Sequence, residues 1–197
     1  MKPATRAIIL KYLRTLHSWL GIIVMPWVLI AGFTGFYLNH KQAVLSIIES
    51  APYDESQFDE WPDPKEGTVT QALKLASQNW TDELVSTIEE KTYHDRPAII
   101  VTKPTGQIIV SKPTGHYFLK TNFRRQTFAP DGTLLDTKIY WNSVFGWLHT
   151  RGWLGTRFGT LLMDITSIAL IVFALSGMFL WWMPRAKKFG RMIRRKA

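Results

Sequence analysis

From Thr15 to His40 the chain carries no Lys, Arg, Asp or Glu, and the run LHSWLGIIVMPWVLIAGFTGFYLNH is long enough to cross the roughly 30 Å hydrocarbon core of a bilayer as a helix. A second run, FGTLLMDITSIALIVFALSGMFLWWMP from Phe158 to Pro184, holds only Asp164 as a charge. Two such runs rule out a single soluble domain. A cleaved signal peptide shares the basic start, but its apolar core is shorter and a small-residue cleavage site follows at once, which is not the pattern here.

Lys and Arg close to the spans set orientation. Lys2, Arg6, Lys11 and Arg14 precede the first, and Arg185, Lys187, Lys188, Arg191, Arg194, Arg195 and Lys196 follow the second, so both termini are expected in the cytoplasm and the middle in the periplasm of a bacterial inner membrane. The formal charge of +9 suggests nucleic acid, but eleven of the 24 basic residues lie in these flanks, where anionic membrane lipid is the better partner. Trp19, Trp27, Trp181 and Trp182 fall in or beside the spans, as in an interfacial aromatic belt. The absence of cysteine excludes disulfides, thiolate metal sites, c-type haem attachment and iron–sulfur clusters.

The expected fold class is a membrane α+β protein. Residues 1–14 form a basic cytoplasmic terminus, 15–40 the first span, 41–137 a periplasmic α+β domain, 138–153 an interfacial aromatic segment, 154–184 the second span and 185–197 a basic tail. Within the domain, SAPYDESQFDEWPDPKEG reads as a loop over the surface. Val69, Ala72, Leu73 and Ala76 recur at helical spacing, predicting an amphipathic helix over Thr68 to Trp80. RPAIIVTKP, GQIIVSKP and HYFLKTNFRRQTFAP follow as β-branched and aromatic runs separated by turn residues, predicting a small antiparallel sheet packed by that helix. TKIYWNSVFGWLHTRGWLG predicts a short interfacial helix with Trp141, Trp147 and Trp153 at headgroup depth. No internal repeat or low-complexity tract stands out.

Histidines carry the candidate chemistry, because a neutral imidazole is the usual axial ligand of haem iron. His17 lies near the cytoplasmic end of the first span, His40 at its outer end and His149 just before the second span on the outer side. His17 and His40 are 23 residues apart, roughly 35 Å at about 1.5 Å per residue, so they cannot share one iron. His40 and His149 share a membrane face and can. His17 would need its counterpart from a second subunit, which a symmetric dimer with a four-helix bundle supplies. Each histidine alone also reads as an interfacial cap or anchor. His94 and His116 are expected as exposed loop or strand residues, with a weaker alternative of holding incoming ferric iron.

Ala31 with Gly35 and Gly155 with Gly159 make small-xxx-small pairs for close helix packing. Pro26 is a kink candidate. Asp164 in the membrane is expected to partner Arg157 or to serve as a proton site. Lys41, Arg151 and Arg157 are candidates for haem propionates, with snorkelling to the interface as the alternative.

The Leu-His start, Thr-Gly and closing Asn-His of the first run resemble the first helix of PepSY-associated transmembrane proteins. LHTRGWLGTRFGTLLMDITSIALIVFALSGMFLWW resembles their His-plus-Gly entry and a span ending in Gly-x-x-x-Trp. The middle domain is loosely similar to a PepSY unit. The resemblance implies b-type haem (heme b) held by His17, His40 and His149, and transfer of electrons across the membrane to ferric iron or a ferric chelate, in support of iron uptake. It implies an enzyme, a haem-dependent ferric reductase. The larger members have four or more helices, so two spans favour a homodimer. No nicotinamide or flavin fingerprint is present, so an external donor, a quinol or a reductase, is expected. The rival expectations are a non-catalytic accessory module that binds a partner, and an electron-transfer subunit feeding another enzyme.

Overall fold

The computed structural model describes residues 3–152 and 154–196, with Trp153 among the residues outside it. In chain order the elements are α1 (Pro3–Asn39), α2 (Lys41–Ile48), a 3₁₀ turn (Glu55–Phe58), α3 (Val69–Asn79), β1 (Thr87–Tyr93), β2 (Arg96–Thr102), β3 (Gly106–Ser111), β4 (Tyr117–Thr121), β5 (Arg124–Phe128), β6 (Leu134–Ile139), α4 (Trp141–Arg151) and α5 (Thr156–Lys196). They form two compact units, Met1–His40 with Phe145–Ala197, and Lys41–Val144.

In the first unit, α1 and α5 pack against each other. Apolar stretches cover Thr5–Asn39 and Arg157–Met183, and only 11% and 6% of their most apolar windows are buried. Ile22, Ile23, Leu29 and Phe33 on α1, and Leu161, Ile168, Ile171 and Leu175 on α5, face outward. Helices that are apolar and unburied at this length suit lipid as solvent, not a soluble core. The protein is a membrane protein. Both helices are longer than the apolar runs predict, because the basic flanks continue them: α1 starts at Pro3, and α5 extends to Lys196. Helix α1 also runs through Pro26 without interruption, although proline leaves the Ile22 carbonyl without its usual donor.

The second unit is a six-stranded antiparallel meander in the order β1-β2-β3-β4-β5-β6. Alternation along the strands separates two apolar layers. On one face Ile99, Val101, Ile108, Val110, Tyr117 and Leu119 pack under α3, whose Ala72 and Ala76 are fully buried. Thr68 caps α3 by accepting from the Gln71 amide at 3.1 Å. On the other face Ala98, Ile109 and Phe118 are covered by the segment carrying Tyr53 and Phe58. The predicted loop therefore supplies the second layer. Strands β1 and β6 were outside the predicted sheet: both are edges, and TIEEKTY and LLDTKI bury too little to show the apolar alternation of β2 to β4. Ile139 ends β6, and helix α4, the short helix expected after it, begins at Trp141, later than residue 138.

Candidate functional site

Helix packing in the membrane unit assembles two similar clusters at opposite ends of the α1–α5 pair. At one end His17 on α1 faces α5: its Nδ1 lies 2.8 Å from the Ser176 hydroxyl, and its ring stacks on Phe173 with centroids 4.2 Å apart and planes 6° apart. Gly177 adjoins it, and a Cβ there would stand 3.1 Å from His17 Cε1. Nearby, Gly21 allows the Phe173 ring against the α1 backbone, and Arg6 bonds the Met183 carbonyl, so antiparallel packing holds the imidazole between the helices. An open apolar groove of ≈ 620 Å³ along α5 is lined by Leu175, Gly177, Met178, Phe179, Trp181 and Trp182.

At the other end His149 on α4 faces α1, with Nδ1 2.8 Å from the hydroxyl of fully buried Thr34 and its Cε1 4.0 Å from a Cβ built at Gly35. Tyr37, one turn on, is buried and stacks with Phe145 at 4.0 Å. Seventeen residues of α1 separate His17 from Thr34, roughly 25 Å at about 1.5 Å per residue, so the clusters are distinct.

His40 is exposed at the end of α1, its ring tilted against Phe36 at 4.6 Å. Among the described residues no hydrogen bond or ring contact joins it to His149; Thr34 takes that place instead. Arg151 lies over the Trp147 ring at 4.2 Å, and Arg157 is exposed. The expected Asp164–Arg157 ion pair does not form: both side chains are exposed on α5, seven residues apart, and no ion pair joins them. Gly155 departs from the expected helix-packing pair. Its φ of +81° places it in the turn before α5, whereas Gly159 meets the Arg151 carbonyl. The placement expected of Trp153 lies outside the described residues.

The residues fit an imidazole-ligated iron macrocycle. In His17 and His149 the described hydrogen bonds use Nδ1 only, which leaves Nε2 for a metal, and a glycine beside each ring lets the imidazole lie close against the neighbouring helix. The hydroxyls Thr34 and Ser176 and the ring Phe173 carried no role in the sequence analysis. The signal for them was the pair Thr34-Gly35 and Ser176-Gly177, one in each span.

The sheet unit holds a separate polar cluster. Glu55 accepts from His94 Nδ1 at 2.8 Å and pairs with Arg125 at 3.2 Å, while Arg125 Nη1 lies 3.1 Å from His94 Nε2. His94 and Asp95 form the β1–β2 turn with φ of +47° and +62°, as a two-residue hairpin requires. Asp59 binds Arg96 at 2.6 Å, and this hydrogen bond holds the Asp59 carboxyl below its ordinary range. Glu55, Ser56, Asp59, His94, Asp95 and Arg96 line an open pocket of ≈ 600 Å³.

His116 corrects the expectation of an exposed residue. It is fully buried, stacked on Phe58 at 3.9 Å and edge-on to Trp61 at 5.0 Å. Neither ring nitrogen has a well-formed hydrogen bond, and burial pushes its pKa down, with the Thr114 backbone opposing. It lies just before β4 and under the segment that covers the sheet, a packing that periodicity in the neighbouring strand does not reveal. No group of three or more metal-ligating side chains occurs among the described residues.

No curated protein and no solved structure matches the chain. The model of the PepSY-associated TM region matches residues 14–197, both spans and the unit between them. With nearly the whole chain matched, the protein belongs to the PepSY-associated transmembrane family.

Proposed function

We propose that this protein is a b-type haem reductase of the bacterial inner membrane, with both termini cytoplasmic, acting as a homodimer that passes electrons outward to ferric iron or a ferric chelate. On this reading its activity is that of the small haem-binding ferric reductases that assist ferrous-iron uptake in vibrios. The observation that carries the reading is the pair of histidine clusters at opposite ends of α1 and α5, each with Nδ1 occupied, Nε2 available and a glycine at the ring. Haem, when bound, supplies one-electron chemistry, and the protein controls its ligation and access. His17 and His149 would ligate iron, with His40 as a further ligand at the outer end. Arg151 and Arg157 would meet the propionates. Two stations roughly 25 Å apart along the helices span most of the hydrocarbon thickness, the arrangement that stepwise electron transfer across it needs. An external quinol or reductase is the donor.

The test is the colour and haem content of the purified protein expressed with ample haem. A bis-histidine spectrum that weakens in His17→Ala, His40→Ala and His149→Ala, together with reduction of a ferric chelate by donor-reduced protein, is the expected result. Colourless wild-type protein would sink the reading. The open pocket at Glu55, Asp59, His94 and Arg96 favours a partner-binding module as the rival, and such a protein would bind its partner without haem.

A further inference from the structure

The membrane unit carries one motif twice. Leu16-His17-Ser18 followed by Trp19-Leu20-Gly21 recurs as Leu148-His149-Thr150 followed, after Arg151-Gly152, by Trp153-Leu154-Gly155. Phe33-Thr34-Gly35 recurs as Leu175-Ser176-Gly177. No repeat was expected from the sequence, because the second copy is interrupted between α4 and α5 by Gly152 and Gly155, at φ +53° and +81°. The contacts align the copies: the histidine of each meets the hydroxyl-glycine pair of the other, His17 with Ser176 and His149 with Thr34. Reciprocal exchange of this kind is what an inverted repeat produces.

Counting protons assigns the direction of both bonds. A hydroxyl has one proton to give. Thr34 directs its own to the Ile30 carbonyl at 2.6 Å, and Ser176 to the Phe173 carbonyl at 2.8 Å. Each 2.8 Å contact with an imidazole must then run from Nδ1–H to the hydroxyl oxygen. In the neutral ring this leaves the lone pair on Nε2.

We propose that Thr34 and Ser176 are the positioning residues of two corresponding, inversely oriented ligand sites, holding His149 and His17 as Nδ1–H tautomers that present Nε2 to a metal macrocycle. The identity of the macrocycle rests on the haem reading; the tautomer does not. Each hydroxyl acts on its own histidine, so removing one disturbs one site and spares the other.

Two measurements on the full-length protein in nanodiscs test this. Nitrogen-15 spectra of histidine-labelled, haem-free protein should show Nδ1–H tautomers for His17 and His149, with the His149 signal changing in Thr34→Val and the His17 signal in Ser176→Ala. Titration with haemin should show one of two sites weakened about tenfold to a hundredfold in each variant, with Thr34→Ser and Ser176→Thr retaining wild-type affinity. Nε2–H tautomers in the wild type, or unchanged spectra and affinities in both variants, would overturn the proposal. Wild-type protein that takes up no haemin would sink the haem reading instead, and the nitrogen spectra would still decide the tautomer.

Discussion

Gly177 abuts His17 so closely that a Cβ at the glycine would stand 3.1 Å from the imidazole Cε1, whereas the corresponding approach of Gly35 to His149 leaves 4.0 Å. The first is tighter than side-chain contacts normally permit; the second is an ordinary van der Waals separation. The ring of His17 is also pinned by Phe173 and Ser176, so it has little room to yield.

The same methyl group should therefore act differently at the two ends. Gly177→Ala is expected to lower haem content at the His17 site several-fold, while Gly35→Ala leaves the His149 site within about twofold of wild type, a contrast set by overpacking. Haem-to-protein ratios of the purified variants check this. Equal losses would show that the glycines do not set the space at the rings.

Arg125 and Glu55 form the least exposed ion pair of the sheet unit, with side chains 10% and 15% exposed. Arg125→Met removes a partner from a largely buried carboxylate and leaves it only His94 and solvent. The expected cost is about 2 kcal/mol, read as a lower unfolding midpoint of this unit by amide exchange in the full-length protein. Replacing Glu55 by Gln in the same background should recover part of it, since the unpaired charge is then gone.

His116 makes the sheet unit sensitive to acid. Its folded pKa is depressed below the ordinary imidazole value near 6.5, by burial first, with Arg96 adding and Asp131 and Asp59 opposing. The unfolded chain then binds a proton that the folded one refuses. Stability is full above about pH 6.5 and falls as pH drops through and below that value. His116→Phe, which keeps the stack on Phe58, should flatten this slope between about pH 6.5 and 5. Urea midpoints across that range measure it; an unchanged slope would assign the acid sensitivity elsewhere.

Ile108 is fully buried between β2, β4 and α3. Ile108→Ala should destabilise the sheet unit by roughly 2–5 kcal/mol while leaving the visible spectrum of haem-loaded protein unchanged. A spectral change would mean that loosening this core reaches the ligands of the membrane unit.

Much of this architecture is legible from local pattern. Helix α3 appears within a residue of its predicted ends because Val69, Ala72, Leu73 and Ala76 share one face. Strands β2 to β5 appear because their apolar residues alternate or run together. The edges β1 and β6 did not, since a strand that buries little carries little periodic signal. His17 and His149 were legible as candidates from their positions at the span ends. His116 was misread as exposed because its cover comes from Phe58 and Trp61, far back in the chain.

Two apolar spans, their basic flanks and the helix-on-sheet unit between them were thus determined by the sequence itself, since hydropathy and periodicity are properties of neighbouring residues. The partners of the histidines were decided only by tertiary structure. His17 meets a hydroxyl 159 positions away and His149 one 115 positions away. Such contacts depend on which faces of α1, α4 and α5 pack together; the hydroxyl-glycine pairs mark a candidate position in each span, but only the packing decides which histidine each one meets.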